Sequence, residues 1–284
     1  MKKVIVTGAN GQLGSEFKFL ATENINFTFT FLSRTDLDIA DADAVSNLLK
    51  ENEVDFLINC AAYTAVDKAE SEKEQAYLIN AQAAGILAKA CIENNCKFIH
   101  LSTDFIFDGT SSTPLLEDDK TNPLSVYGAS KLAGEIAVLD ANADALIIRT
   151  SWVYSSFGNN FVKTILKLCK ERESLNIIFD QTGTPTYARD LARAILTIIQ
   201  QPEWKADVYN YSNEGVASWY DFAIAIRDIA KLKTAILPIE TAQYPTPATR
   251  PKYSVLNKKK IKETFPISIP YWRESLIQCM ALLH

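Results

Sequence analysis

A glycine-rich turn directly follows the first apolar run of the chain, and it constrains the fold more than any other feature. The run from Lys3 to Thr7 has the composition of a short buried strand, and amphipathic helical spacing begins just after the turn. Glycine permits a tight turn and lets backbone N–H groups approach a phosphate at the positive end of a helix. The pattern therefore predicts a strand–turn–helix unit that holds a dinucleotide, with contacts from Gly8, Asn10, Gly11 and Gly14.

Short β-rich runs alternate with longer helical patterns through the first half of the chain, which is typical of βαβ units. Each run is apolar in a way that suggests burial on both faces, as a parallel sheet covered by helices requires. The predicted strands are 3–7, 27–32, 56–60, 97–102 and 145–150, and the predicted helices are 70–94, 125–139 and 188–200. We predict an α/β fold with a doubly wound parallel sheet.

Prolines interrupt the pattern after Trp152 and favour short helices and loops. We expect a dinucleotide-binding domain over residues 1–151 and a smaller, irregular C-terminal substrate lobe over 152–284. The run from Val208 to Ser212 could form another strand of the sheet. Part of the second half, about 186–212, is therefore expected to return to the first domain.

Composition excludes several classes of function. A net charge of −5 argues against nucleic-acid binding, which depends on clustered basic residues, and no apolar run is long enough to span a bilayer. Five cysteines without a CxxC pair favour a reduced, cytoplasmic protein. The two histidines, His100 and His284, leave little material for a histidine metal site or a Ser-His-Asp triad, so no metal is predicted. We interpret His100 as a core residue.

The end of the second predicted strand decides the choice of cofactor. A fold of this kind usually presents an acidic side chain there to the ribose hydroxyls, or a cation to a 2′-phosphate. Here Ser33 offers a hydroxyl and Arg34 a guanidinium, whereas Asp36 lies slightly too far along. We predict a preference for NADPH, with NADH as a second cofactor. The alternative is that Arg34 is a solvent-exposed loop residue.

A tyrosine and a lysine four residues apart form the predicted catalytic pair. Tyr127 and Lys131 share one face of a predicted helix. A tyrosine with a pKa of about 10 is a poor proton donor near neutral pH, and a nearby ammonium would lower that pKa by favouring the phenolate. The fourth strand ends in Ser102-Thr103-Asp104, which places hydroxyls at the edge of the sheet where such folds bind ligands. These residues together indicate reduction of a carbonyl group, with Tyr127 as the acid.

Several motifs resemble those of the extended short-chain dehydrogenases/reductases, and specifically the dTDP-4-dehydrorhamnose reductases. The resemblance covers nearly the whole chain. It is carried by residues 7–14, with their Gly-x-x-Gly-x-x-Gly spacing, and by 59–70, 102–109, 126–135, 149–154, 158–161 and 244–251. The middle and late motifs are more specific than the glycine turn.

The resemblance implies a Rossmann fold and reduction of the C4 ketone of dTDP-4-dehydro-L-rhamnose to dTDP-L-rhamnose. In that reaction the nicotinamide delivers hydride and Tyr127 supplies the proton. The resemblance further implies that Lys131 orients the nicotinamide ribose and lowers the tyrosine pKa, and that Thr103 holds the developing alkoxide.

The resemblance also implies two sets of binding residues. Those expected to bind the cofactor, in addition to the glycines, Ser33, Arg34, Tyr127 and Lys131, are Gln12, Leu13, Asp38, Ile39, Ala61, Ala62 and Tyr63. Those expected to bind the nucleotide sugar are Thr64, Val66, Thr103, Asp104, Trp152, Asn160 and Arg250. Arg250 suits the diphosphate, although a surface ion pair is an alternative role for it.

The chain departs from the family pattern at two places. Members often carry an acidic residue where this chain has Ser33 and Arg34, so the cofactor preference can differ. Some members dimerise through a divalent cation held by glutamates, and Arg189 stands where one of those glutamates is expected. We therefore predict a monomer or a weak homodimer without a bridging metal.

Two other functions fit the same motifs. A noncatalytic regulatory subunit can share this fold, although Thr103, Tyr127 and Lys131 argue against that reading. A reductase or epimerase of another nucleotide sugar is the second alternative.

Overall fold

The structure, a computed structural model, describes residues 1–24 and 26–283, so His284 lies outside the described residues. Its strands are β1 (Lys2–Thr7), β2 (Phe27–Leu32), β3 (Phe56–Asn59), β4 (Lys97–Thr103), β5 (Leu146–Thr150), β6 (Val153–Tyr154), β7 (Ser174–Ile178), β8 (Thr182–Gly183), β9 (Thr186–Tyr187), β10 (Val208–Asn210), β11 (Ala217–Ser218) and β12 (Ala235–Ile239). Six of these strands form a sheet in the order β10-β5-β4-β3-β1-β2, and all neighbours in it are parallel.

Eleven α-helices are present in the described residues, and none of them is long and apolar enough to cross a membrane. They are α1 (Gln12–Ala21), α2 (Ala42–Asn52), α3 (Val66–Ala69), α4 (Lys73–Tyr77), α5 (Ala83–Glu93), α6 (Val126–Ala141), α7 (Phe161–Glu171), α8 (Ala188–Gln200), α9 (Trp219–Ile229), α10 (Lys259–Thr264) and α11 (Trp272–Met280).

Helices cover both faces of the sheet. Successive strand residues point to opposite faces, so Val4 packs with Phe17 of α1 and Ile195 of α8, whereas Ile5 packs with Leu87 of α5. The helices α2, α5 and α6 lie on this second face. The predicted doubly wound α/β fold is confirmed, and the carboxyl ends of β1, β3, β4 and β5 lie along one edge of the sheet.

Strand β2 departs from the prediction that each strand is apolar on both faces. It lies at the edge of the sheet, and its alternate residues Thr28 and Thr30 are exposed. An edge strand packs less of its surface against helices, so the Phe-Thr alternation of this segment suits one covered and one open face.

The helix predicted over 70–94 is divided in the structure. It begins as α4, passes through a π-helical segment at Leu78–Gln82, and continues as α5. The π-helical segment brings the Asn80 backbone oxygen so close to α6 that a Cβ at Gly134 would lie 2.0 Å from it. Close packing against α6 therefore explains why a regular helix does not continue through this segment.

The second half of the chain contributes to the sheet and also forms a separate cluster. Strand β10 pairs with β5, and α8 packs against α1. A distinct apolar cluster, which includes Tyr154, Val162, Phe222, Trp272 and Leu276, joins α7, α9 and α11. These helices therefore pack around a core of their own.

Candidate active site

The glycine turn forms a cradle that side chains would fill. Gly8 has a φ of +65°, and a Cβ there would lie 2.6 Å from the Ala61 nitrogen. A Cβ at Gly14 would lie 2.5 Å from the Gly8 oxygen. Gly11 precedes α1 and has no side chain to cap its first-turn N–H groups. These donors suit a pyrophosphate, so the residues present fit a dinucleotide.

A cavity of about 610 Å³ lies beside this cradle. Ten of the predicted cofactor residues line it, namely Gly8, Asn10, Gly11, Ser33, Arg34, Asp38, Ile39, Ala61, Ala62 and Tyr63. The sequence did not indicate Glu72 and Gln75, which also line it. Glu72 accepts a hydrogen bond of 2.6 Å from the Tyr63 hydroxyl, so this wall of the cavity is held by a side-chain contact.

Three other predicted cofactor residues of the turn do not line the cavity. Leu13, in the first turn of α1, packs against the core, and Gly14 lies against Gly8. Gln12 reaches toward the second half of the chain, where its amide donates to the Val153 oxygen at 3.3 Å. These three residues therefore contact other parts of the protein and support the turn.

The loop after β2 folds back on itself. The Ser33 backbone N–H and hydroxyl both donate to Oδ2 of Asp36, at 2.8 and 2.6 Å. These hydrogen bonds lower the pKa of Asp36 below its usual value. Arg34 is exposed at the wall of the cavity. Asp36 therefore occupies the Ser33 donors, while the Arg34 guanidinium stays accessible to a ligand.

Hydroxyl and carboxyl groups gather where β4 ends. Thr103 lies opposite Thr150 of β5, and its hydroxyl donates to Oδ1 of Asp104 at 3.1 Å. Oδ2 of Asp104 and the hydroxyls of Ser102 and Thr150 are buried without a hydrogen-bond partner in the described part of the chain. Burial raises the pKa of Asp104 to about 6, against the opposing effect of the nearby Ser254 and Thr103 hydroxyls. Unpartnered buried polar atoms at this edge indicate a place for a polar ligand.

Helix α6 carries the predicted catalytic pair. The Ser125 side chain caps the helix by accepting from the Gly128 N–H, and Tyr127 follows in the first turn. Tyr127 makes an edge contact with the Phe105 ring, with centroids 5.5 Å apart, and its hydroxyl lies near Thr103. Lys131 is 2% exposed, and its Nζ donates to the Leu101 backbone oxygen. The fold therefore brings both side chains to the end of β4.

The pKa of Tyr127 differs from what the sequence suggested. Burial raises it to about 12, while the Thr103 hydroxyl lowers it and the Asp104 charge raises it further. Burial also lowers the pKa of Lys131 to about 8, although the Glu135 charge acts in the opposite direction. The causes of the Tyr127 pKa in this structure are burial, Thr103 and Asp104, so the lowering of that pKa by Lys131 stays a prediction.

Trp152 lies at a strained position next to β6. It has a φ of 47°, which is rare for a large side chain, and its indole stacks on that of Trp219 at 3.6 Å between ring centroids. A Cβ at Gly183 would lie 2.7 Å from the Trp152 ring. The stacking and the glycine together hold this indole in one orientation.

Other predicted substrate residues are engaged with the protein itself. Both terminal nitrogens of Arg250 donate to the Asp67 carboxylate, at 3.0 and 2.8 Å. Asn160 caps α7 and also donates to Oε1 of Gln12 at 2.9 Å. Thr64 and Val66 lie at the start of α3, where the Val66 N–H donates to the Thr64 oxygen. The substrate role of each of these residues stays a prediction.

Some residues that organise the site were not predicted to have a role in it. Asn80, in the π-helical segment, accepts from the Tyr63 N–H and donates to the Ser130 hydroxyl, and so joins the cavity wall to α6. Asn59 of β3 accepts from the Thr7 hydroxyl and donates to Nδ1 of His100. The strand pattern placed Asn59 and His100 in the sheet, but their polar contacts depend on strand register.

Comparison with known proteins establishes the family. The model of the family described as RmlD substrate binding domain matches residues 1–284. The chain belongs to this RmlD family. It is 40% identical to the dTDP-4-dehydrorhamnose reductase of Burkholderia thailandensis, with 98% of both chains covered.

Two further relatives extend the comparison. The spore coat polysaccharide biosynthesis protein SpsK of Bacillus subtilis is 40% identical, over 97% of this chain and 96% of that protein. The crystal structure of the Bacillus anthracis dTDP-4-dehydrorhamnose reductase in complex with NADP is 37% identical, covers 99% of both chains and superposes with a TM-score of 0.94.

This RmlD-family chain has a buried ion pair at the position considered for a metal. Nε of Arg189 donates to Oε2 of Glu16 at 2.7 Å, and the Ser155 hydroxyl donates to Oε1 at 2.6 Å. The Arg189 guanidinium also lies 3.8 Å from the centroid of the Phe19 ring. The Glu16 carboxylate is therefore paired with the Arg189 guanidinium of the same chain.

Proposed function

We propose that the chain is an enzyme that reduces the C4 ketone of dTDP-4-dehydro-L-rhamnose to dTDP-L-rhamnose with NADPH. The observation that carries the proposal is the convergence of Thr103, Tyr127 and Lys131 at the edge of the sheet that also holds the glycine cradle. Relatives named dTDP-4-dehydrorhamnose reductase, aligned over nearly the full length, support it.

The side chains at the end of β4 suit the protonation that accompanies this reduction. When bound, the reduced nicotinamide supplies a hydride for the carbonyl carbon. Tyr127 supplies the proton for the carbonyl oxygen, and its raised pKa keeps the phenol protonated before the reaction. The Thr103 hydroxyl holds the same oxygen, and Lys131 orients the nicotinamide ribose.

Residues at the far wall of the cavity suit NADPH. The exposed guanidinium of Arg34 can bind a 2′-phosphate with paired hydrogen bonds. The Ser33 hydroxyl could contact the phosphate only in exchange for its hydrogen bond to Asp36. Asp36 disfavours the phosphate, since it holds the Ser33 donors and carries a negative charge. We infer that NADPH is the preferred cofactor and that NADH is accepted less well.

The nucleotide sugar is proposed to bind across the end of β4. Asp104 and Thr103 would contact the sugar, Trp152 would pack against it, and Thr64 and Val66 would line the entrance. Arg250 could bind the diphosphate only in exchange for, or in addition to, its contact with Asp67. This competition makes Arg250 a less direct substrate residue than Asp104.

The proposal also covers the domain bounds, the cellular location and the oligomeric state of the enzyme. We propose a cofactor domain over 1–151 and a substrate lobe over 152–284, with about 186–212 belonging to the cofactor domain. The pairing of β10 with β5 and the packing of α8 on α1 support this division. We also propose a cytoplasmic monomer or weak homodimer.

Coupled synthesis tests the function. The chain is combined with NADPH, dTDP-4-dehydro-6-deoxyglucose and a 3,5-epimerase, and nicotinamide absorbance is followed while the product is identified. Equal amounts of dTDP-rhamnose and oxidised cofactor are expected. Isomerisation without NADPH consumption would instead identify an epimerase. Cofactor binding without any product would identify a noncatalytic subunit.

A further inference from the structure

A chain of buried polar side chains connects the cofactor cavity to Lys131. It runs from Thr7 of β1 through Asn59 of β3 and His100 of β4 to Lys131 of α6. All four residues are at most 2% exposed. The proposed reaction does not use Asn59 or His100, although His100 is the group that faces the Lys131 amine.

The amide of Asn59 has a fixed orientation. Its Oδ1 accepts from the Thr7 hydroxyl at 2.7 Å and from the Ala61 N–H at 3.2 Å. Rotation of the amide by half a turn would place two N–H donors against each other at Ala61. Nδ2 is therefore the atom that faces His100.

This orientation determines where the imidazole carries its proton. Nδ2 of Asn59 lies 3.1 Å from Nδ1 of His100, and an amide nitrogen can only donate. Nδ1 must therefore accept. A neutral imidazole then has its hydrogen on Nε2, and Nε2 lies 3.5 Å from Nζ of Lys131.

The Nε2–H group favours one protonation state of the lysine. It can donate to the lone pair of an uncharged amine, whereas an ammonium would present a second donor to it. The Leu101 oxygen accepts from either form. His100 is thus arranged to stabilise Lys131 after the lysine has given up a proton.

The surrounding charges agree with this arrangement. Burial lowers the pKa of His100 well below its usual value, and the Lys131 charge lowers it further, so the imidazole is neutral. Burial lowers the pKa of Lys131, with the Glu135 charge opposing. Glu135 is itself paired with Arg149 through three hydrogen bonds. Tyr127 lies one helical turn before Lys131, and Asp104 follows β4.

We propose that His100 is a positioning residue, held by Asn59 in its Nε2–H form, that favours the uncharged amine of Lys131 and thereby promotes return of a proton to Tyr127. This inference rests on the proposed function. As hydride forms the new C–H bond, the Tyr127 O–H bond breaks and its proton goes to the sugar oxygen. Lys131 then passes a proton from Nζ to the phenolate, its lone pair accepts from His100, and water reprotonates it before the next turnover.

Tyr127 and Lys131 lie one turn apart on the same face of α6, and the order of their pKa values favours transfer of a proton from Lys131 to Tyr127. The pKa of Tyr127 is about 12 and that of Lys131 about 8, so the phenolate is much the stronger base. The alkaline limb of the rate profile should consequently report the loss of the Lys131 proton.

The first test measures the tautomer directly. The chain contains two histidines, so ¹⁵N spectra of histidine-labelled protein with NADP bound are readily assigned with a His284→Ala variant. We expect His100 to be neutral, with hydrogen on Nε2, throughout the pH range of the folded enzyme. Hydrogen on Nδ1, or a cationic ring, would overturn the proposal. Neither result depends on the identity of the sugar substrate.

The second test compares two variants. In His100→Gln the amide oxygen can accept from Asn59 while its nitrogen donates to Lys131, so the wild-type alkaline limb should be retained. In His100→Leu that donor is lost, and the limb should move to higher pH while kcat falls several-fold with little change in the KM for sugar. An unmoved limb in His100→Leu would overturn the proposal, and the tautomer measurement decides it if that variant does not fold. An inactive wild type would instead refute the proposed function.

Discussion

The Asn160 amide donates to Oε1 of Gln12 over 2.9 Å. This hydrogen bond joins the residue at the start of α1 to the residue that caps α7, and so connects the glycine turn to the second half of the chain. Asn160 also donates to the Ser155 oxygen, and Gln12 donates to the Val153 oxygen. The cofactor turn and the proposed substrate lobe are therefore held together by one small network.

This network predicts different effects for its two members. Asn160→Ala removes the helix cap and should lower the free energy of unfolding by about 1 kcal/mol. Gln12→Leu leaves the cap intact and should instead raise the Kd for NADPH a few-fold with a smaller loss of stability. Urea denaturation and cofactor fluorescence measure the two effects. If Asn160→Ala raises the sugar KM strongly without changing stability, Asn160 contacts the substrate directly.

Arg34 is expected to control the choice of cofactor. Arg34→Ala should reduce kcat/KM for NADPH by about 10- to 100-fold, because a charged hydrogen bond contributes roughly 1.5–3 kcal/mol, while NADH should be little affected. Steady-state kinetics with both cofactors measure the ratio. Arg172→Ala, an exposed arginine at the end of α7, is the matched control. An unchanged ratio in Arg34→Ala would exclude the assignment.

Much of the fold followed from the sequence because local patterns specified it. The apolar runs gave the central strands to within a residue or two, and the glycine turn marked where β1 meets α1. The π-helical segment did not follow, since it depends on contact between Asn80 and Gly134, which are distant in sequence.

The sequence predicted where the candidate catalytic residues lie, but not the directions of their side chains. Strand ends and helical spacing brought Thr103, Tyr127 and Lys131 to one edge. The direction of the Lys131 side chain could not be predicted, because it depends on the Leu101 oxygen and on His100 in a neighbouring strand. The hydrogen bond from the Ser33 N–H to Asp36 could not be predicted either, because it depends on the conformation of the loop after β2.

Asp104 should make stability depend on pH. Its folded pKa of about 6 exceeds the usual 3.8, so the folded state binds the proton more tightly. The contribution of Asp104 to the free energy of unfolding, up to about 3 kcal/mol, is consequently fully present below pH 3.8. It is lost as the pH rises toward 6. Asp104→Asn should remove this dependence in urea denaturation series.

Asp36→Asn is a control, because Asp36 should make stability depend on pH in the opposite direction. The pKa of Asp36 is lowered by Ser33, so its contribution to stability is present above the usual pKa of 3.8 and lost as the pH falls. Identical pH profiles for wild type and Asp104→Asn would contradict the assignment for Asp104.

Lys131 should be destabilising in the absence of ligands. Its pKa falls from 10.5 to about 8 on folding, so the buried ammonium opposes folding below pH 8 and ceases to do so above 10.5. Lys131→Met should therefore be more stable near neutral pH by up to about 3 kcal/mol, and should have no measurable turnover. Thermal and urea unfolding measure the gain. A less stable variant at neutral pH would show that the Leu101 hydrogen bond outweighs the burial of charge.

The most direct test of the enzymatic assignment is NADPH oxidation with dTDP-4-dehydro-L-rhamnose by the wild type and by Tyr127→Phe. Tyr127→Phe removes the hydroxyl that donates the proton but leaves the cavity beside the glycine cradle intact. We expect kcat to fall by about 100-fold or more while the Kd for NADPH stays within about twofold. Turnover by Tyr127→Phe at close to the wild-type rate would contradict the account.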